Sequence, residues 1–189
     1  MNTVDVIIPA NNEEERIKQA ILQFRYAAID KVIVIDDNST DKTNEIANTY
    51  SDYVYNFPEK LSEPHQSKLY NFGKSKSEAD WLLIIDTDEM WHPFFLLNVK
   101  NIIARASPAP ILSYRFPRDN YTVRGESYST WPDLQVRLVF RQAAEWKGEM
   151  HPCAYSIEHN VPMDKISCID LWYPIIHLPR STNVKRVWW

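Results

Sequence analysis

Short strand-like runs at residues 4–9, 31–35, 52–56 and 81–85 alternate with segments whose apolar residues recur at helical spacing. Strands that are apolar on both faces belong in a mainly parallel sheet with helices on either side. After the first run, Asn12 stands as a helix cap with Glu15 three residues on, and Glu13, Glu14 and Glu15 complement the positive end of the helix dipole. Ile17, Ala20, Ile21, Phe24 and Ala28 then define one buried helical face. A polar turn over 36–41 leads into a helix through Ile46 and Ala47, and a further helix is expected over 66–77. Pro93 suits the first turn of a helix carrying Phe94, Leu97, Ile102 and Ile103. Strand-like pieces at 111–116, 134–141 and 166–172 read as a mixed or antiparallel extension of the same sheet. Right-handed crossovers gather the C-terminal ends of parallel strands on one edge, where open sheets bind ligands.

Composition narrows the ligand. The 189 residues suit one domain. The three glycines, Gly73, Gly125 and Gly148, exclude the G-x-G-x-x-G and P-loop cradles; the residue five before Gly73 is Lys68. A net charge of -4 gives no basic field for a nucleic acid polymer. Cys153 and Cys168 are too few for a zinc ribbon and too far apart for a redox pair, and read as reduced thiols in a packed region. The N-terminus shows no signal-peptide pattern, and the apolar runs at 81–85 and 171–176 fall far short of the ~20 residues that span a bilayer. The expectation is a cytoplasmic chain, or one peripheral to a membrane. The apolar ending at 184–189 reads as a cut within a longer protein or a segment for docking or self-association.

Three loops on the expected edge carry the chemistry. Asp86-Thr87-Asp88-Glu89 follows the fourth strand, and two carboxylates one residue apart suit a hard divalent cation that keeps positions open for phosphate oxygens. Asp36-Asp37-Asn38-Ser39-Thr40-Asp41 follows the second strand, where one carboxylate can face a base or ribose while the others support the turn. Pro9-Ala10-Asn11-Asn12-Glu13 follows the first and offers backbone to a planar ligand.

In order and spacing these loops resemble the family 2 glycosyltransferases of the GT-A fold, whose pattern is Pro-x-x-Asn-Glu, then Asp-Asp-x-Ser-x-Asp, then Asp-x-Asp. Gln66-Ser67-Lys68-Leu69-Tyr70-Asn71, the run from Trp131 to Phe140 and Trp146-Lys147-Gly148-Glu149-Met150-His151 resemble the branch that includes lipopolysaccharide-core glucosyltransferases. The resemblance implies a donor half over 1–106 and an acceptor half over 107–189. It implies that Pro9, Ala10, Asn11 and Glu13 line a nucleotide pocket, with Asp37 at the base and Lys68 near the diphosphate. Asp86 and Thr87 would meet the ribose or the metal, and Asp88 would ligate Mn²⁺ or Mg²⁺. A sugar would pass, with inversion, from a nucleoside diphosphate to a hydroxyl of a glycan, glycolipid or glycoprotein. UDP is the favoured carrier, with GDP and dTDP as alternatives.

The branch often carries His-Glu where this chain has His151-Pro152. A general base is then sought at Glu149 first and Asp133 second. His151 is the first imidazole expected to complete the metal shell and His177 its rival. Tyr114, Tyr121, Tyr128, Trp131 and Trp146 are core residues or a sugar-stacking platform. A haloacid-dehalogenase-type phosphatase is disfavoured because it needs the acidic pair on the first strand and Thr or Val at Met90. A sugar nucleotidyltransferase lacks its glycine-rich loop here. A nucleotide-binding or assembly module without a base is the non-enzymatic alternative.

Overall fold

A computed structural model describes residues 2–60, 65–105, 111–122, 124–127, 131–149 and 152–178. In chain order the elements are β1 (Val4–Ala10), α1 (Ile17–Leu22), β2 (Lys31–Asp36), α2 (Thr43–Tyr50), β3 (Tyr53–Asn56), α3 (Gln66–Lys76), β4 (Trp81–Ile84), β5 (Glu89–Met90) and α4 (Pro93–Arg105). They continue with β6 (Ser113–Asn120), β7 (Asp133–Phe140), β8 (Ala144–Lys147), β9 (Cys153–Ser156), β10 (Cys168–Asp170) and β11 (Ile175–His177).

One sheet runs β3-β2-β1-β4-β7-β6-β11-β5, with β10 also paired to β6. The first four strands in that order are mutually parallel, as the strand–helix alternation requires. β7 then pairs antiparallel with both β4 and β6, the mixed extension expected from the second half. A separate hairpin, β8 with β9, covers part of one face.

The period of two along β1 divides the core into two layers. Val4, Val6 and Ile8 join Ile17, Ile21 and Phe24 from α1 and Phe95 and Val99 from α4. Ile7 on the opposite face joins Leu69 and Tyr70 of α3 and Trp146 of β8. On α4 the buried face is Phe95, Leu96, Val99 and Ile103, set by i, i+4 spacing from Phe95 and Val99. Phe94 and Leu97 lie off that face and are 54% and 56% exposed. Cys153 is exposed rather than packed, and Cys168 is half-buried.

Gly73 lets α3 lie close on the sheet. A Cβ placed there would come 2.4 Å from Ile7 Cγ2, in a layer where Ile7 is fully buried. Gly73→Ala is therefore expected to lower stability although alanine is the better helix former by about 1 kcal/mol. Overpacking of this kind costs about 1–3 kcal/mol, so a net loss of about 1 kcal/mol and a melting temperature about 2–4 °C lower should appear in a thermal melt. A variant as stable as the parent would mean that α3 is free to shift.

Candidate active site

The C-terminal ends of β1, β2 and β4 meet at one edge, and their loops are laced together. Asn12 adopts a left-handed backbone (φ 53°), and its side-chain oxygen accepts a hydrogen bond from the Thr40 amide at 2.8 Å. Its own amide donates to Ser39 Oγ at 3.0 Å. Glu14 and Asp41 exchange backbone-to-carboxylate bonds with the facing loop, Glu14 N–H to Asp41 at 3.1 Å and Lys42 N–H to Glu14 at 3.1 Å. The capping box expected from Asn12 and Glu15 is thus replaced by a tertiary contact, and α1 begins only at Ile17 with no side-chain cap. Asp41, just before α2, accepts from the Thr43 amide at its start at 2.9 Å.

This edge opens into a cleft of about 820 Å³. One wall is Pro9, Ala10, Asn11 and Glu13; Asp86, Thr87 and Asp88 lie at its floor; β6 and β7 supply Arg115, Arg118, Gln135 and Arg137 opposite. Asp37 lies behind Asn11, whose side-chain amide donates to the Asp37 carbonyl, and its carboxylate is 3.0 Å from His65 Nε2.

The two aspartates of the fourth strand's loop have different surroundings. Asp86 accepts from Tyr70 OH at 3.1 Å on one oxygen and from Arg137 at 2.8 Å on the other. Arg137 is only 6% exposed and also pairs with Glu89, itself 1% exposed. Burial pushes the Glu89 carboxyl up to about 7, although the Arg137 charge pulls it down. Asp88 instead faces the cleft, with His177 Nε2 3.5 Å and Arg16 3.8 Å from its Oδ2. Burial raises its carboxyl, but the hydrogen bond and charge of His177, with Arg16, more than offset that and hold it below the usual range. Arg16 is also paired with Glu13 at 2.6 Å.

His177 arrives by sheet pairing. It sits opposite Glu89 in the antiparallel β5–β11 ladder and beside Asn120 in the parallel β6–β11 ladder. Its Nδ1 lies 2.8 Å from Asn120 Oδ1, so Nε2 is the nitrogen turned toward Asp88. A carboxylate oxygen and an imidazole nitrogen 3.5 Å apart at the cleft are donor types that suit Mn²⁺. Among the described residues no group of three His, Cys, Asp or Glu side chains has metal-holding geometry, and Asp88 with His177 is a pair. His151 and Tyr128 lie outside the described residues.

Other expected site residues stand apart. Lys68 projects from α3 away from the Gln66–Leu69–Tyr70 face that lines the cleft, and pairs with Glu59 at 3.2 Å. Asp133 takes hydrogen bonds from Arg118 at 2.9 Å, Asn120 at 3.1 Å and Gln135 at 2.6 Å. Burial pushes its carboxyl up, and the bonds from Asn120 and Arg118 outweigh that and hold it low, which speaks against a proton-accepting role. Glu149 is exposed in the β8–β9 turn, between Trp146 and Pro152, which both line the cleft. Of the aromatics, Tyr114 is 1% exposed and belongs to the core, Trp146 is buried at the cleft wall, Tyr121 is half-buried and Trp131 is exposed. Sequence reading missed Arg16, Asn120 and Arg137; only Arg137, a charge inside an apolar strand, left a local signal.

The fold and the acidic loops at its strand edge define a GT-A glycosyltransferase architecture. S. aureus TarS, solved with UDP-GlcNAc, superposes with a TM-score of 0.67 at 16% identity, over 97% of this chain and 60% of that one. Glucosyl-3-phosphoglycerate synthase from Mycobacterium tuberculosis, solved with Mn²⁺, UDP-glucose and phosphoglyceric acid, gives 0.63 at 18% identity, over 95% and 73%. The model of the family described as "Glycosyl transferase family 2" matches residues 5–161, and the chain belongs to that family. An uncharacterized glycosyltransferase of Rickettsia typhi, RT0209, is 37% identical over 99% of this chain, which spans 63% of that relative's length. No helix among the described residues is long and apolar enough to cross a membrane.

Proposed function

We propose that the cleft binds a UDP-sugar with a divalent cation and passes the sugar to a hydroxyl of a glycan or glycoconjugate, with inversion. The observation that carries this reading is the Asp88–His177 pair, 3.5 Å apart and open to a cleft walled by Pro9–Glu13 residues of the donor loop. Asp88 and His177 would hold Mn²⁺ or Mg²⁺, which when bound neutralises the charge that develops on a departing diphosphate. Asn11, backed by the Asp37 carbonyl that its amide donates to, would meet the base, and Asp86, fixed by Tyr70 and Arg137, would meet the ribose. Residues 1–106 thereby serve the donor, while the β6–β7 wall and the β8–β9 hairpin serve the acceptor. Glu149 is our candidate for taking the acceptor proton, because its turn joins two segments of the cleft wall. The protein would act in the cytoplasm or at a membrane surface.

A thermal-shift series with UDP, GDP and dTDP, with and without Mn²⁺, tests the donor. A ligand at about 100 times its Kd adds about 2.7 kcal/mol, so UDP with Mn²⁺ should raise the melting temperature by about 5–10 °C. Labelled UDP-sugars should then be hydrolysed slowly or transferred. No shift with any nucleotide would overturn the reading, and a shift without turnover would favour a binding module.

A further inference from the structure

We infer that Asp133, through Asn120, is a positioning residue that sets which nitrogen of His177 faces Asp88. The inference rests on the reading of Asp88 and His177 as the metal-holding pair.

An asparagine side chain has two ends of similar shape and opposite hydrogen-bonding sense. Asn120 is 6% exposed, so water does not choose its orientation. It lies between Asp133 Oδ2 at 3.1 Å and His177 Nδ1 at 2.8 Å. Asp133, held in its ionised form by Arg118 at 2.8 Å, can only accept. The NH₂ of Asn120 must therefore face Asp133, and its carbonyl oxygen must face His177. That oxygen in turn needs a donor, so the proton of a neutral His177 sits on Nδ1. Nε2, 3.5 Å from Asp88, is then the nitrogen that either donates to Asp88 from a charged ring or, once that proton is gone, offers its lone pair to a cation. Partners on the far side of a ligating imidazole commonly fix its tautomer and basicity in this way. The backbone reinforces the arrangement: Tyr121 N–H donates to the His177 carbonyl at 3.0 Å, and Leu178 N–H to the Asp88 carbonyl at 3.0 Å.

Asp133 also anchors Arg118 and Gln135, so activity alone would not separate positioning from general support. The discriminating measurement is Mn²⁺ affinity of the protein–UDP complex, read by electron paramagnetic resonance without turnover, in a double-mutant cycle. His177→Ala should weaken Mn²⁺ binding. Asp133→Asn, which frees Asn120 to rotate, and Asn120→Ala, which removes the link, should each weaken it about 10–100-fold. Neither should weaken it further in the His177→Ala background, and UDP binding without metal should be unchanged. Full Mn²⁺ affinity in Asp133→Asn and Asn120→Ala, with the His177→Ala loss intact, would refute the relay alone. An Asp133→Asn loss that persists in the His177→Ala background would also refute it, by making Asp133 a general support. An unchanged His177→Ala would remove the metal pair and the relay with it.

Discussion

Asp88→Asn is expected to reduce kcat/KM for sugar transfer by about 10³-fold, which corresponds to about 4 kcal/mol of transition-state stabilisation. The substitution keeps the shape of the side chain and removes its charge. Loss of a single preorganised group that stabilises developing charge typically costs about 10²–10³-fold. On the proposed reading Asp88 would also hold the cation that screens the diphosphate, which places the expected effect at the upper end. The fold should survive, because Arg16 keeps its 2.6 Å pair with Glu13 and His177 keeps its bond to Asn120. UDP should still bind in the absence of metal, through the side of the cleft that carries Ala10 and Asn11. The check is steady-state kinetics across Mn²⁺ concentrations alongside metal-free UDP titration. A variant with unimpaired turnover would remove Asp88 from the reaction.

The second large effect concerns stability. Arg137→Met should destabilise the protein by about 3–5 kcal/mol at pH 8, because it strands Glu89 and Asp86 without their shared cation. The size of that loss should depend on pH. Burial raises the folded Glu89 carboxyl above its unfolded value, to about 7. A group of this kind favours the folded state below its unfolded pKa, and that contribution is lost as pH rises through the folded pKa. Removing Arg137 takes away the attraction that opposes burial, so the folded pKa moves higher still. The destabilisation should thus shrink as pH falls from 8 to 5, where Glu89 takes a proton. Adding Glu89→Gln to Arg137→Met should restore part of the stability at pH 8 and flatten the pH dependence. Equal losses at pH 5 and pH 8 would mean that Glu89 does not titrate in this range.

The parts of the site that were legible in the sequence are those fixed by local chain geometry. A strand followed by Pro9-Ala10-Asn11-Asn12-Glu13 or Asp86-Thr87-Asp88 delivers its polar residues to the sheet edge whatever happens elsewhere. Both segments line the cleft. Asn12 marks the limit of local reading: its short-range option was a helix cap, and a neighbouring loop's Thr40 amide took its oxygen instead. Lys68 was placed by motif, but helical spacing puts it off the face carrying Gln66, Leu69 and Tyr70. His177, Asn120 and Arg137 were harder, because strand pairing across long stretches of chain sets their neighbours. The two-residue β5, whose ladder brings His177 to Glu89, is too short to show any periodicity.

That brief ladder has a bearing on biosynthesis. β5 leaves the ribosome well before β11, so a growing chain carries Asp88 and Glu89 long before His177. On the proposed reading, the pair that would hold the cation comes together only when this three-residue strand has docked, so a short and late contact would govern when the site becomes competent.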